Sequence, residues 1–228
     1  MKKYIDLIED VHDNISGRER LEWSNFWYDS TNKDGSRRIL LIGDSTVRMV
    51  RSTFAEKTGY AVDMLGVSSG MHDVFFQSQV DAFFCSTKYK YITIFVQIGH
   101  HSRVGDYGET YTEEDYSRFY RDMNALVTFL KQYCDNVVML SVFFSVIPPK
   151  SYPGIIGSIA FRLRHYFPEI YDETVNVVKK QKNAIICQIA KERGLPFCDI
   201  NQIVMDTSKG RKNRFIHEDH IHLSLIHI

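Results

Sequence analysis

Short apolar runs separated by amphipathic stretches recur along this chain, and that alternation restricts its fold more than any other feature. The runs are Arg38–Ile42, Ala61–Leu65, Tyr91–Ile98, Asn136–Val142 and Leu195–Asp199. Between them, helical spacing is expected at Thr46–Lys57, at roughly Val74–Phe84, at Glu113–Tyr133 and at Tyr171–Arg193. Strands that alternate with helices in this way build βαβ units, in which a parallel sheet is covered on both faces. The expected fold class is α/β: a three-layer α/β/α sandwich around a central, mostly parallel five-stranded sheet.

A chain of 228 residues with 44% hydrophobic content can bury a full core as one large domain. A second domain of ordinary size would be cramped. Two segments stand outside the alternation. Residues 1–36 join an amphipathic stretch (Tyr4, Ile5, Ile8, Val11) to an aromatic patch (Trp23, Phe26, Trp27, Tyr28). They are expected to form a helical and aromatic extension packed on a main domain of residues 37–228, with a substrate wall as the alternative role for the aromatic patch. Phe143–Tyr171 is rich in proline, glycine and aromatic residues and follows a strand end, so it is expected to be a loop or lid over the site.

The formal net charge is zero, and no long run of one sign occurs. That removes the electrostatic footprint of a dedicated nucleic-acid binder and favours small-molecule or glycan partners. The start, Met1 to Asp6, lacks the apolar core of a secretory signal, and no later stretch has the length of a membrane span, so a cytoplasmic protein is expected. Cys85, Cys134, Cys187 and Cys198 show no CxxC spacing and lie in or beside apolar segments. They read as buried free thiols rather than disulfide partners or zinc ligands.

Chemistry enters at Gly43-Asp44-Ser45, directly after the apolar run Ile39–Ile42, and again at Asp219-His220-Ile221-His222 near the far end. A serine after a parallel strand sits where α/β sheets bind ligands, and at a helix N-terminus its surroundings favour an oxyanion. A serine hydroxyl becomes a nucleophile when an imidazole takes its proton, and that imidazole needs a carboxylate to fix its tautomer. Ser45, His222 and Asp219 can fill these roles. The plainer reading of the first block is an N-cap supplied by Asp44 or Ser45.

Other residues carry similar pairs of readings. Gly70 either supplies a turn with positive φ or belongs to a site after the second strand. His100 and His101 are either core and capping histidines or part of a site after the third strand. His72 and Asp73 follow Gly70 closely and are placed to line a pocket. Arg48, one helical turn past Ser45, is either a surface charge or a group that holds an anionic or hydroxyl-rich substrate.

Gly43-Asp44-Ser45, Ser69-Gly70, Gly99-His100-His101-Ser102 and Asp219-x-x-His222 resemble, in order, the four signature blocks of the SGNH (GDSL-type) hydrolases. The similarity covers roughly residues 38–223. The string Gly43-Asp44-Ser45-Thr46-Val47-Arg48 and the Gly-x-His block are further similar to the polysaccharide O-acetyl esterase and O-acetyltransferase branch. The resemblance implies a flavodoxin-like sheet and a serine esterase without a cofactor. It also implies Ser45 as nucleophile, Asp219 and His222 as acid and base, and an oxyanion hole made by the Ser45 N–H, the Gly70 N–H and the third-block side chain. That block departs from the family's Gly-x-Asn-Asp, because His101 stands where the asparagine donor is expected. An imidazole N–H can donate to an oxyanion as an amide does.

His217, Glu218, Asp219, His220 and His222 also make a set that zinc or a related ion could use. Their order matches no metal-hydrolase motif, and the DxxH block already accounts for two of them, so no metal site is expected. The last residues, Leu223 to Ile228, resemble translated sequencing-adapter read-through. On that reading the chain is truncated before a final helix.

Overall fold

The computed structural model describes residues 2–11, 23–30, 37–87, 89–101, 111–144, 154–156, 159 and 173–208. A 3-10 turn at Ile5–Leu7 is followed by β1 (Ser24–Trp27), β2 (Arg38–Gly43), α1 (Ser45–Thr58), β3 (Ala61–Val67) and α2 (Val74–Ser86). Then come β4 (Thr93–Gln97), α3 (Glu113–Leu130), β5 (Val137–Leu140), α4 (Glu173–Glu192), β6 (Phe197–Cys198) and α5 (Ile200–Ser208). Every position of β2 and β3 is buried, as central strands covered on both faces require. Side chains alternate between the two faces of the sheet. Ile39, Leu41, Val62 and Met64 meet α1 through Val47, Val50 and Phe54. Leu40, Ile42, Leu65, Ile94 and Val96 instead face a larger core filled from α2, α3 and α4.

The sheet has six strands in the order β1-β3-β2-β4-β5-β6, with β2, β3, β4, β5 and β6 mutually parallel and β1 antiparallel to β3. The three-layer architecture is the expected one. The additional strand comes from the aromatic patch, the expected anchor of the extension on the core, which forms an edge strand of the sheet. Its alternation is visible once it is paired. Phe26 and Tyr28 pack on Phe83 of α2, while Trp23 and Trp27 lie under Arg48 and Arg51 of α1. A four-residue strand is too short to display period two against a background of aromatic residues. Upstream, Tyr4 and Ile8 reach the core, Val11 is exposed, and among the described residues of this stretch the helical segment is the 3-10 turn.

Local signals set the helix ends. Asp44 caps α1 by accepting from Thr46 N at 3.0 Å, and Gly59 ends it at φ 67°. Asp73 caps α2 in the same way at 2.8 Å, and Thr112 and Asp115 form a capping box on α3. α5 lies outside the elements expected from the sequence, although Ile200, Ile203 and Val204 have helical spacing. The four thiols are free, yet Cys85 and Cys187 are exposed and only Cys134 is fully buried. An apolar neighbourhood in sequence does not decide which face of a helix a side chain takes.

At the end of the sheet away from Ser45, Arg38 and Asp63 form a buried ion pair at 2.5 Å. Tyr91 Oη and Asp29 N also donate to the Asp63 carboxylate, and the Asp29 carbonyl accepts from Arg38. Hydrogen bonds of this number allow two charges to stay buried.

Candidate active site

β2 lies between β3 and β4, so the chain leaves β2 toward α1 on one face and leaves β4 toward α3 on the other. This divergence opens a crevice at the carboxyl ends of the strands, the place where open α/β sheets bind ligands. Gly43 ends β2 there. A Cβ at Gly43 would collide with the Gln97 carbonyl oxygen of β4, so only glycine permits this approach. The turn then delivers Asp44 and Ser45 to the start of α1, with Ser45 half-buried.

The three described blocks converge at this crevice. Gly70 packs so closely that a Cβ on it would lie 2.7 Å from His72 Cε1 and 3.3 Å from the His101 carbonyl oxygen. Its φ is not among the positive glycine values, so the turn explanation for Gly70 fails and close approach replaces it. His100 Nε2 lies 3.4 Å from Gln97 Nε2. Asp44 is 2% exposed, and its Oδ2 accepts no hydrogen bond among the described residues. Burial pushes the Asp44 carboxyl up, but His100, His101 and the Thr46 amide outweigh that and hold it below the ordinary carboxylate range. Asp44 is therefore both an N-cap and an ionised neighbour of two imidazoles.

The structure thus brings Asp44, Ser45, Gly70, His72, His100 and His101 together. Arg48 is exposed one turn along α1, over the Trp23 ring at 4.8 Å. Asp219 and His222 lie outside the described residues, as do the His217–His220 set, Ser102, the final residues and most of Phe143–Tyr171. Within that last segment, residues 154–156 are helical, with Ile155 and Ile156 exposed.

Two further residues contribute: one belongs to the aromatic patch whose alternative role is a substrate wall, and the other is not among the sequence candidates. Trp23 reaches the site because β1 runs antiparallel to β3, which sets the start of β1 beside the end of β3. Trp23 N donates to Ser68 Oγ at 2.8 Å, and Ser68 N donates to the Trp23 carbonyl at 3.0 Å. Gly66 leaves room for the indole, since a Cβ there would lie 3.3 Å from Trp23 Cζ3 and 3.6 Å from the Asp44 carbonyl oxygen. The second is Lys182 of α4, which is 1% exposed. Its Nζ donates to the Gly99 carbonyl at 2.7 Å and lies near the Tyr111 and Phe119 rings. Its neighbour Asn183 bonds both the N–H and the carbonyl of Val142, so adjacent α4 residues hold the ends of β4 and β5. Gly99 itself has φ 142° and no room for a Cβ, which would lie 2.5 Å from Val142 Cγ2. A sequence signal existed for Lys182: it precedes the buried Ile186 and Ile189 at helical spacing.

No protein-family model matches the sequence, and no curated protein matches it significantly. Solved structures do share its fold. The acetylxylan esterase Axe2 from Geobacillus stearothermophilus matches 83% of this chain and 88% of its own at TM-score 0.52 and 15% identity. The lipase/acylhydrolase from Enterococcus faecalis matches the same shares at TM-score 0.50 and 13% identity. So does LAE5, an alpha/beta hydrolase enzyme from the metagenome of Lake Arreo, Spain, also at 0.50 and 13%. The likeness at these identities is one of fold, in agreement with the three-layer α/β/α architecture expected from the sequence. Among the described residues, no helix is long and apolar enough to cross a membrane.

Proposed function

We propose that this chain is a serine ester hydrolase that acts on an O-acyl ester of a carbohydrate, with O-acetyl as the acyl group. The observation that carries this reading is the meeting of Gly43-Asp44-Ser45, Ser69-Gly70 and Gly99-His100-His101 at one crevice, with Gly70 packed against the His101 carbonyl. The shared fold with an acetylxylan esterase and a lipase/acylhydrolase supports it. So does the position of Ser45 in the first turn of α1, where unpaired backbone N–H groups and the helix dipole favour negative charge.

In this reading His222 accepts the Ser45 hydroxyl proton as Oγ attacks the ester carbonyl, while Asp219 orients the imidazole and stabilises its charged form. The carbonyl electron pair moves onto oxygen, and the Ser45 and Gly70 N–H groups with the His101 side chain hold that oxyanion. Collapse breaks the bond to the alcohol oxygen, which leaves with the proton from His222. Water, deprotonated by His222, then attacks the acyl-enzyme and restores the serine. Asp44, His72, His100 and Arg48 line the substrate side. The free thiols are consistent with a reducing compartment, and we read the enzyme as cytoplasmic.

The test is p-nitrophenyl acetate hydrolysis together with a fluorophosphonate probe. Wild type is expected to turn over the ester and to be labelled at Ser45, and both signals should vanish in Ser45→Ala. Labelling that persists in the variant would sink the assignment. A sugar hydroxyl in place of water would make the same acyl-enzyme an O-acetyltransferase, which product analysis with acceptor sugars separates. The histidine at the asparagine position favours a third reading, a catalytically silent glycan binder, which would bind glycans without any Ser45-dependent turnover.

A further inference from the structure

Arg48 and Arg51 occupy one face of α1 a turn apart, and each lies over a tryptophan of β1. Arg51 is fully engaged. Its Nε donates to the Val62 carbonyl at 2.8 Å, and its guanidinium lies 3.7 Å from the Asp29 carboxylate. Arg48 makes no ion pair or hydrogen bond among the described residues, and its contact is the Trp23 ring alone.

Stability does not explain that arrangement. Arg48 sits in the first turn of α1, where the positive end of the helix dipole disfavours a cation, and the carboxylate at that helix end, the Asp44 cap, is buried and engaged with the Thr46 amide. α3 follows the opposite rule, with Glu113, Glu114 and Asp115 in its first turn. Trp23 is itself anchored by two hydrogen bonds to Ser68, immediately before the Ser69-Gly70 block, and Gly66 admits its ring beside the Asp44-Ser45 turn. The indole therefore holds a solvent-facing guanidinium on the same helical face as Ser45, with its planar N–H fork open for an acceptor. A residue that breaks the local electrostatic rule beside a site is where function is expected to have set the choice.

We propose that Arg48 is a specificity-determining residue that directs the site to acidic glycans, pairing bidentately with the carboxylate of a uronic acid near the acylated position. The fork geometry suits a planar carboxylate, and a lysine would supply the charge without the paired donors. This inference rests on the reading of the crevice as a glycan ester site.

The test is calorimetric titration of Ser45→Ala, which separates binding from turnover, with an O-acetylated oligogalacturonate and an O-acetylated neutral xylo-oligosaccharide. The acidic ligand is expected to bind at least tenfold more tightly at low salt, with the preference shrinking as salt rises. Adding Arg48→Gln should reduce the preference about tenfold, and Arg48→Lys should restore part of it. Equal binding of the two ligands, failure of both to bind, or a preference that survives Arg48→Gln would overturn the proposal. Ser45-dependent ester hydrolysis without acidic preference removes this inference and leaves the esterase reading standing. Acidic preference lost in Arg48→Gln, in a protein with no Ser45-dependent hydrolysis, does the reverse.

Discussion

Gly70 shows what a single missing methyl group permits. Its Cα approaches the His72 ring and the His101 carbonyl so closely that an alanine must displace one or both. His72 is buried, and the His101 carbonyl belongs to the backbone of the third block. Gly70→Ala should therefore disturb the crevice more than the fold. With Gly70 as the proposed oxyanion donor, we expect kcat to fall about a hundredfold, the low end of the cost of losing one such donor, with little change in melting temperature. Steady-state kinetics beside a thermal melt checks this. The motif identified Gly70 but not its reason: a turn with positive φ and a close approach both demand glycine, and only the packing distinguishes them. Asp44 was legible as a cap because a Gly-Asp-Ser turn before a helix carries a local rule. Its second role, as an ionised neighbour of His100 and His101, depends on residues from another strand end and leaves no local trace.

The amino-terminal segment is held to α2 and α3 by contacts that no periodicity announces. Tyr4 N and Ile5 N donate to the Asp81 carboxylate at 2.6 and 3.2 Å, Tyr4 packs against Phe76 and Phe129, and Arg118 pairs with Asp10 at 3.0 Å. Beneath this contact lies Asp122 of α3, whose Oδ2 is buried and accepts no hydrogen bond among the described residues. Burial pushes its carboxyl up to about 7, with Arg118 and Arg121 pulling it down and Asp10 and Glu9 adding to the rise. The folded protein thus keeps a proton on Asp122 up to about pH 7, while the unfolded chain loses it near the ordinary value of 3.8. The folded state binds more protons across that window, so this contribution falls as pH rises from about 4 to 7 and is flat above. Asp122→Asn should remove that slope. At pH 8 the variant should be more stable than wild type by about 2–4 kcal/mol, taking about 1.4 kcal/mol per unit as an upper scale. Urea unfolding of both proteins at pH 4, 6 and 8 measures it, and parallel pH profiles would refute it. β1 belongs to the same scale: four residues acquire their strand identity from the β3 edge they pair with.

Across the whole molecule, the sheet divides stability from chemistry. One end is tied by Arg38, Asp63, Tyr91 and Asp29, and the crevice occupies the other. Arg38→Met would leave Asp63 buried without its counter-ion. A loss of about 3–5 kcal/mol is expected, while kcat measured well below the lowered melting temperature stays near wild type because β2 separates the two ends. Chemical denaturation and ester kinetics on the same preparation test both halves, and a matching collapse of kcat in the still-folded protein would contradict this division. The run-and-helix alternation, the parallel sheet and the delivery of Ser45 to its carboxyl edge were determined by sequence alone, because burial periodicity and capping are local properties of the chain. The antiparallel edge strand that carries Trp23 beneath Arg48, the buried Lys182 on the Gly99 carbonyl and the crowding around Gly70 were decided only by tertiary structure. Each depends on which distant segments become neighbours, and that follows from the strand order β1-β3-β2-β4-β5-β6 and not from any one segment's own pattern.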